Sequence, residues 1–292
     1  MILLTGATGL AGSFIANEFV RRREPVRILV RNREKATWLE KIPTVEIVES
    51  DMSRRSNLGS ALDGVDRVLM ISAPRMDMVE TQCTFIDACK AAGLRHVIKF
   101  SGLDARPDTA FPFGLMHKEI EEYLENSGLA WTHLRPTGFM QEYLREAPSI
   151  INEGAFYLAL GEVRLNPIDL VDVGKVGFSL LRNGGHEGVR LPMTGPEALT
   201  MAEVADRISR AIGRTVRYVA VSPIERRQAL IAYGIPPEFA DALDKQVEER
   251  LKGGAESRVD LSTHQLFGVK PTTFLEFAQR NAEAFRGAAA AA

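Results

Sequence analysis

The chain predicts an α/β fold, a doubly wound parallel sheet with a smaller, mostly helical C-terminal lobe. Three observations carry the prediction. Short strands that are apolar throughout alternate with amphipathic helical segments over the first half, as in a parallel sheet covered on both faces. The opening run MILLTGATGLAG places Gly6, Gly9 and Gly12 directly behind an apolar strand. After Pro136 the alternation loosens into mostly helical periodicity.

The elements follow in order. ILLT (2–5) is the first strand, and Leu10, Phe14, Ile15 and Phe19 behind it repeat with a helical period. VRILV (26–30), VEIV (45–48), RVLMIS (67–72) and HVIKF (96–100) are the next strands, with a helix over about 78–92. Another helix is expected over about 116–127, then the strand AWTHL (130–134). GVRLPM (188–193) and VRYVAV (216–221) read as further strands. Between them, TMAEVADRISRAIG has Thr200 at an N-cap, Glu203 three residues on and Gly213 past the end, the signature of a capped helix. Pro236 and Pro237 precede a helix at about 238–252, and KGGAES (252–257) reads as a turn or mobile loop. The closing GAAAAA is of low complexity. The expected division is a nucleotide-binding part over 1–154, with a returning segment at about 168–194, and a lobe over 195–292.

A chain of 292 residues, 45% hydrophobic and 25% charged, supports a core without disulfides or a structural metal. A net charge of −2 argues against a general nucleic-acid binder. Charges interrupt the N-terminal apolar run by Glu18 and Arg21, unlike a signal peptide, and no segment approaches the ~20 apolar residues of a membrane span. Cys83 and Cys89 form no CxxC pair and read as free thiols of a cytoplasmic protein. Monomer and homodimer both stay open.

The glycine spacing has a physical reading. Gly6 permits a tight exit from the strand, Gly9 lets backbone N–H groups approach a pyrophosphate, and Gly12 lets the helix pack closely on the strand. The helix N-terminus then presents its positive dipole end to the phosphates, with Thr8, Leu10 and Ala11 completing the loop. At the end of the second strand an enzyme preferring NAD usually carries Asp or Glu; this chain has Arg31, with Arg33 and Lys35 nearby. A guanidinium there can take a 2′-phosphate through two hydrogen bonds, which selects NADP(H); a solvated basic turn is the other reading. Asp51 could accept from the adenine amino group with Met52 packing on the ring, or simply shape a turn. Ser72, Ala73 and Pro74 end the fourth strand, where small side chains let a dinucleotide pass.

These residues resemble the atypical, NmrA-like branch of the short-chain dehydrogenase/reductase superfamily. The resemblance rests on TGATGLAG, LVRNREKA, HKEIEEYLENSGLAWTHLRPTGFM and NPIDLVDVGKV, and extends to PTTFLEFAQRNAEAF near the end. It points to the subgroup with triphenylmethane reductase, NADPH quinone reductases and flavin-free NADPH azoreductases, and it implies a Rossmann fold. The branch also contains non-enzymatic NADP(H) sensors. Enzymes of the wider superfamily carry Tyr-x-x-x-Lys. Here Lys118 fits the lysine, but Gly114 stands where the tyrosine would fall, which puts ordinary alcohol dehydrogenation and sugar epimerisation in doubt. Ser101 matches the family's serine, or is a small residue beside the coenzyme.

Hydride transfer to an electron-poor aromatic acceptor (an azo dye, a quinone or a triarylmethane dye) survives the missing phenol, because coenzyme and proximity carry the hard step. His117 and Lys118 are the candidate proton donors. His117 also looks like the first member of a family H-x-x-x-E pattern with Glu121, or else forms a helix-surface ion pair with it. Pro136, Thr137 and Phe139 should lie near the nicotinamide. Phe113, Met140, Tyr143, Tyr157 and Tyr233 are candidates to hold a flat substrate, each equally eligible for the core. Asp172 is read as a helix cap, and no metal site is expected. The alternative function is an NADP(H)-sensing regulator without turnover.

Overall fold

The computed structural model describes residues 1–287; the alanine tail, 288–292, lies outside the described residues. Nine strands occur among them: β1 (Ile2–Thr5), β2 (Val26–Val30), β3 (Val45–Glu49), β4 (Arg67–Met70), β5 (His96–Phe100), β6 (Ala130–Pro136), β7 (Ala155–Leu158), β8 (Val189–Met193) and β9 (Arg217–Ala220). Seven form one sheet in the order β3-β2-β1-β4-β5-β6-β8, every neighbouring pair parallel. The strand order reverses between β1 and β4, so a crevice opens there at the strands' C-terminal ends.

Alternation along each strand feeds two apolar layers. Leu4, Ile28, Leu69, Ile98 and Leu134 pack against helices Leu10–Arg22 and Leu170–Asn183. Leu3, Leu29, Val68, Met70 and Val97 face helices Met78–Ala91 and Pro112–Glu125 on the other side. This is why the strands read as apolar throughout: both faces are buried.

A third core lies outside the sheet. Met140, Tyr143, Ile150 and Phe156 pack with Val204, Ile208, Phe274, Phe277 and Phe285. The segment from Met140 to Leu165 thus shares its core with the C-terminal helices, and β7 pairs in parallel with β9. The helix Met201–Ile212 has the expected capping box between Thr200 and Glu203 and ends at Gly213 in the left-handed conformation.

Several local expectations change. The strand expected over 67–72 stops at Met70, because the Thr5 hydroxyl accepts from Ile71 N–H (2.8 Å) and donates to its carbonyl (2.7 Å), replacing the ladder. The helix expected from about 116 starts at Pro112, where a missing N–H costs nothing. Asp172 is not a cap: Asp169 caps the helix at Val171 N–H, while the buried Asp172 accepts from Thr272 N–H and pairs with Lys175. Strand β7 and the helix Pro223–Ala232 stand where no element was expected. KGGAES is only partly loop, since Ala255–Ser257 form a 3-10 turn that buries Glu256.

Candidate active site

The glycine turn is built as its spacing requires. Gly6 has φ +67°, and a Cβ there would come within 2.9 Å of Ile71. A Cβ on Gly12 would lie 2.1 Å from the Gly6 carbonyl oxygen, so the helix reaches the strand only with glycine at that position. Gly9 donates its N–H to that carbonyl (2.9 Å) and is itself the N-cap, so no side chain caps the helix. The amides of Leu10, Ala11 and Gly12 form the helix's first turn, and Thr8, Gly9 and Leu10 are exposed. An uncapped helix start beside a glycine-rich loop fits a diphosphate.

Arg31 follows β2, exposed, and makes no ion pair or side-chain hydrogen bond among the described residues; the same holds for Lys35. Arg33 is engaged by Glu40 at 2.9 Å. The Asp51 carboxylate accepts from the backbone and hydroxyl of Ser53, and these bonds, with Arg31 and Arg54 nearby, hold its pKa below the ordinary value. Met52 is buried in the apolar layer with Leu29 and Leu58 rather than presented to a ring. Free positive groups at the end of β2 fit a 2′-phosphate.

At the ends of β4 and β5 the structure assembles a polar chain. Ser72 Oγ accepts from Gln82 Nε2 (2.8 Å), and Gln82 Oε1 accepts from Lys99 Nζ (3.0 Å). Lys99 Nζ also lies 2.9 Å from His117 Nδ1 and donates to the Phe100 carbonyl. Lys99 is completely buried, and that burial lowers its pKa to about 7. Burial and the neighbouring Lys99 and Arg135 push His117 well below its usual range. Ser101 Oγ is buried without a partner. Ala73 and Pro74 are exposed beyond Ser72.

The other candidates separate. Lys118 pairs with Glu122 one turn along its own helix and does not join His117. Glu121 does not pair with His117; both its oxygens take the Arg135 guanidinium. Pro136 is buried at the end of β6, beside Met193. Beyond it, Thr137, Gly138 and Phe139 form one wall of a cleft of about 190 Å³. Tyr143 lines the same cleft, and Leu230, Leu243 and Val247 line it from helices Pro223–Ala232 and Pro237–Leu251. Two ion pairs stand in its lining, Arg226 with Glu146 and Arg250 with Glu256. Glu142 also lines it. Phe113 is core, packed on Phe111 and Phe239, and Met140 is buried in the third core. Tyr157 bonds Glu153, and Tyr233 is 87% exposed; neither lines the cleft.

Lys99 and Gln82 were missed from sequence. The signal was present: a lysine inside the apolar strand HVIKF, where both faces are covered, must find polar partners or lose its charge. The ion pairs of the cleft left no such signal: Arg226 and Glu146 lie 80 positions apart, and Arg250 meets Glu256 only because the chain turns back between them.

Comparison with known proteins agrees with this geometry. The profile of the NmrA-like family matches residues 1–278. An NAD(P)H azoreductase of Xenophilus azovorans is 36% identical over 99% of this chain and 100% of its own. A (4-alkanoyl-5-oxo-2,5-dihydrofuran-3-yl)methyl phosphate reductase of Streptomyces griseus is 34% identical over 98% of this chain and 99% of its own. The NADPH complex of an NADPH-dependent quinone oxidoreductase from Escherichia coli superimposes with a TM-score of 0.85 at 28% identity, covering 96% of this chain and 99% of that one. With its glycine turn, its parallel sheet and this similarity along almost its whole length, the chain belongs to the NmrA-like family.

Proposed function

We infer that this protein is an NADPH-dependent reductase that passes hydride, without flavin, to an electron-poor aromatic acceptor: an azo compound, a quinone or a triarylmethane dye. The observation that carries the reading is that the glycine cradle at β1 and the Thr137–Phe139 wall of the cleft stand at the same edge of one sheet. A dinucleotide held by the first reaches across the strand ends toward the second. The relatives with such names act on an azo bond, a furanone phosphate and a quinone. Their shared chemistry, reduction, supports the class more firmly than any one acceptor.

Bound NADPH supplies the hydride. The chain does the rest. Backbone amides at Leu10–Gly12 hold the diphosphate, and Arg31, helped by Lys35, takes the 2′-phosphate. Ser72, Pro136 and Phe139 border the path between. Residues 1–139 and 168–194 bind the coenzyme, and the lobe, together with the Met140–Leu165 segment that shares its core, holds the acceptor. Apolar side chains of the cleft exclude water and set a flat acceptor against the coenzyme. Among the described residues no helix is long and apolar enough to cross a membrane.

The test is NADPH oxidation, followed at its near-ultraviolet absorbance, with a panel of quinones, azo dyes and triarylmethane dyes and no added flavin. Turnover with at least one class is expected. Tight, selective NADP(H) binding with no turnover on any acceptor would replace this reading by that of a redox sensor.

A further inference from the structure

We propose that Lys99 and His117 form a proton-transfer pair: the imidazole offers its Nε2 proton to the reduced acceptor, and the lysine restocks the ring through Nδ1. The proposal deepens the reductase reading and rests on it.

The geometry begins with an oddity. Lys99 is wholly buried, and among the described residues no carboxylate forms an ion pair with it. Glu121 on the facing helix, whose charge acts on Lys99, is already held by Arg135. An ammonium in such a place is expensive, and a structural role would be met as well by an apolar side chain. What Lys99 has instead is a 2.9 Å contact with His117 Nδ1.

An ammonium has only donors, so Nδ1 must accept and the neutral ring's own proton must sit on Nε2. That nitrogen makes no hydrogen bond among the described residues, and His117 as a whole is half-buried rather than enclosed. The ring's Cδ2, which is bonded to Nε2, would lie 3.7 Å from a Cβ on Gly102. Gly102 follows Ser101, at the end of β5 where the coenzyme crevice meets the strand ends.

The step balances. Hydride brings two electrons to a quinone or azo group, leaving an anionic oxygen or nitrogen. That atom takes the Nε2 proton, and the Lys99 ammonium passes a proton to Nδ1. The products are the protonated acceptor, a neutral imidazole with its proton on Nδ1, and a neutral amine; solvent then protonates Nε2 while Nδ1 hands its proton back to the buried amine, which restores both groups. The ring never becomes an imidazolium, in keeping with its depressed pKa.

Charged and titratable groups facing Lys99 are Cys83 from the helix Met78–Ala91, His117 and Glu121 from the helix Pro112–Glu125, and Arg135 and His133 from β6. Burial dominates them and puts Lys99 at about 7. The reservoir is full below that pH and empty above it.

Two measurements on the full chain decide the matter. The first is ¹⁵N NMR of labelled histidines without coenzyme, the His117 signal being identified by its loss in H117Q. Below pH ~7 the Nε2–H tautomer is expected, with an Nδ1 shift that titrates near 7 in the wild type and not in K99M. An ordinary imidazolium titration near 6.5 that K99M leaves in place would overturn the pair.

The second is the pH dependence of kcat in wild type and K99M, on a quinone and on a cationic triarylmethane dye, whose carbon accepts hydride without a proton. K99M should lose about tenfold more on the quinone than on the dye, within the ordinary span of acid–base contributions, and should lose the alkaline fall. Equal losses on both acceptors, or an unchanged alkaline fall, would refute it. A wild type that turns over none of the acceptors would sink the reductase reading and the relay's use with it, while the NMR result would still report whether the two side chains share a proton.

Discussion

The cradle and the cleft are built by opposite means. Between β1 and its helix the ligand surface is backbone, and it is available because glycines leave no Cβ in the way. In the cleft the surface is side chain, drawn from the Thr137–Leu165 segment and from two helices beyond residue 222, with two ion pairs in its lining. The first tolerates almost no substitution and reads one invariant group, a diphosphate. The second can be altered residue by residue without touching the sheet. A protein built this way keeps its coenzyme while its acceptor drifts, which matches relatives of similar identity whose names give different acceptors.

The sharpest way to break the contrast is Gly9→Val. Gly9 is extended and exposed, and its Cβ would come no closer than 3.3 Å to the Gly6 carbonyl oxygen, so the chain should fold. The added side chain stands where the diphosphate approaches. NADPH affinity measured by calorimetry should fall by roughly 100-fold or more, about 3 kcal/mol. Next is Arg31→Ala, which removes a charged, two-pronged contact. The preference for NADPH over NADH should drop by about 10- to 100-fold, with NADH affinity hardly moved. Leu230→Ala probes the other region. It lies on a helix with no fully buried residue, so stability should hold, while KM for the acceptor rises several-fold, about 1 kcal/mol of lost apolar contact, and NADPH affinity stays put. The smallest change leaves both sites alone: Thr200→Ala removes a capping box and should cost ~1 kcal/mol, seen as a fall of about 2–4 °C in Tm with kinetics unaltered.

The same contrast governs what could be read in advance. Local chemistry was legible: the glycine turn, the strands buried on both faces, and the Thr200–Glu203–Gly213 cap all appear as expected, because each is decided by neighbours in sequence. What depends on distant partners was not. His117 was assigned Glu121, four residues on, but the buried lysine on β5 takes it, and Arg135 takes Glu121. Tyr233, eligible from its sequence for the substrate wall or the core, projects outward and joins neither, because nothing local says which face of a short helix end a fold will cover. β7 pairs with a strand some sixty positions later and belongs to no run of alternating strands and helices, so nothing beside it in sequence announces it.

One carboxylate ties the cleft to the helix that bears the proton donor. Glu249, near the end of the helix that forms part of the cleft lining, accepts from the Thr109 hydroxyl (2.6 Å) and from the amides of Ala110 (2.8 Å) and Phe111 (3.3 Å). Phe111 is the N-cap of the helix that bears His117. A bulky guest that levers this clasp open therefore drags on the root of the donor's helix. Oversized acceptors should be turned over slowly even when they bind well, so size discrimination is written into the rate rather than the affinity.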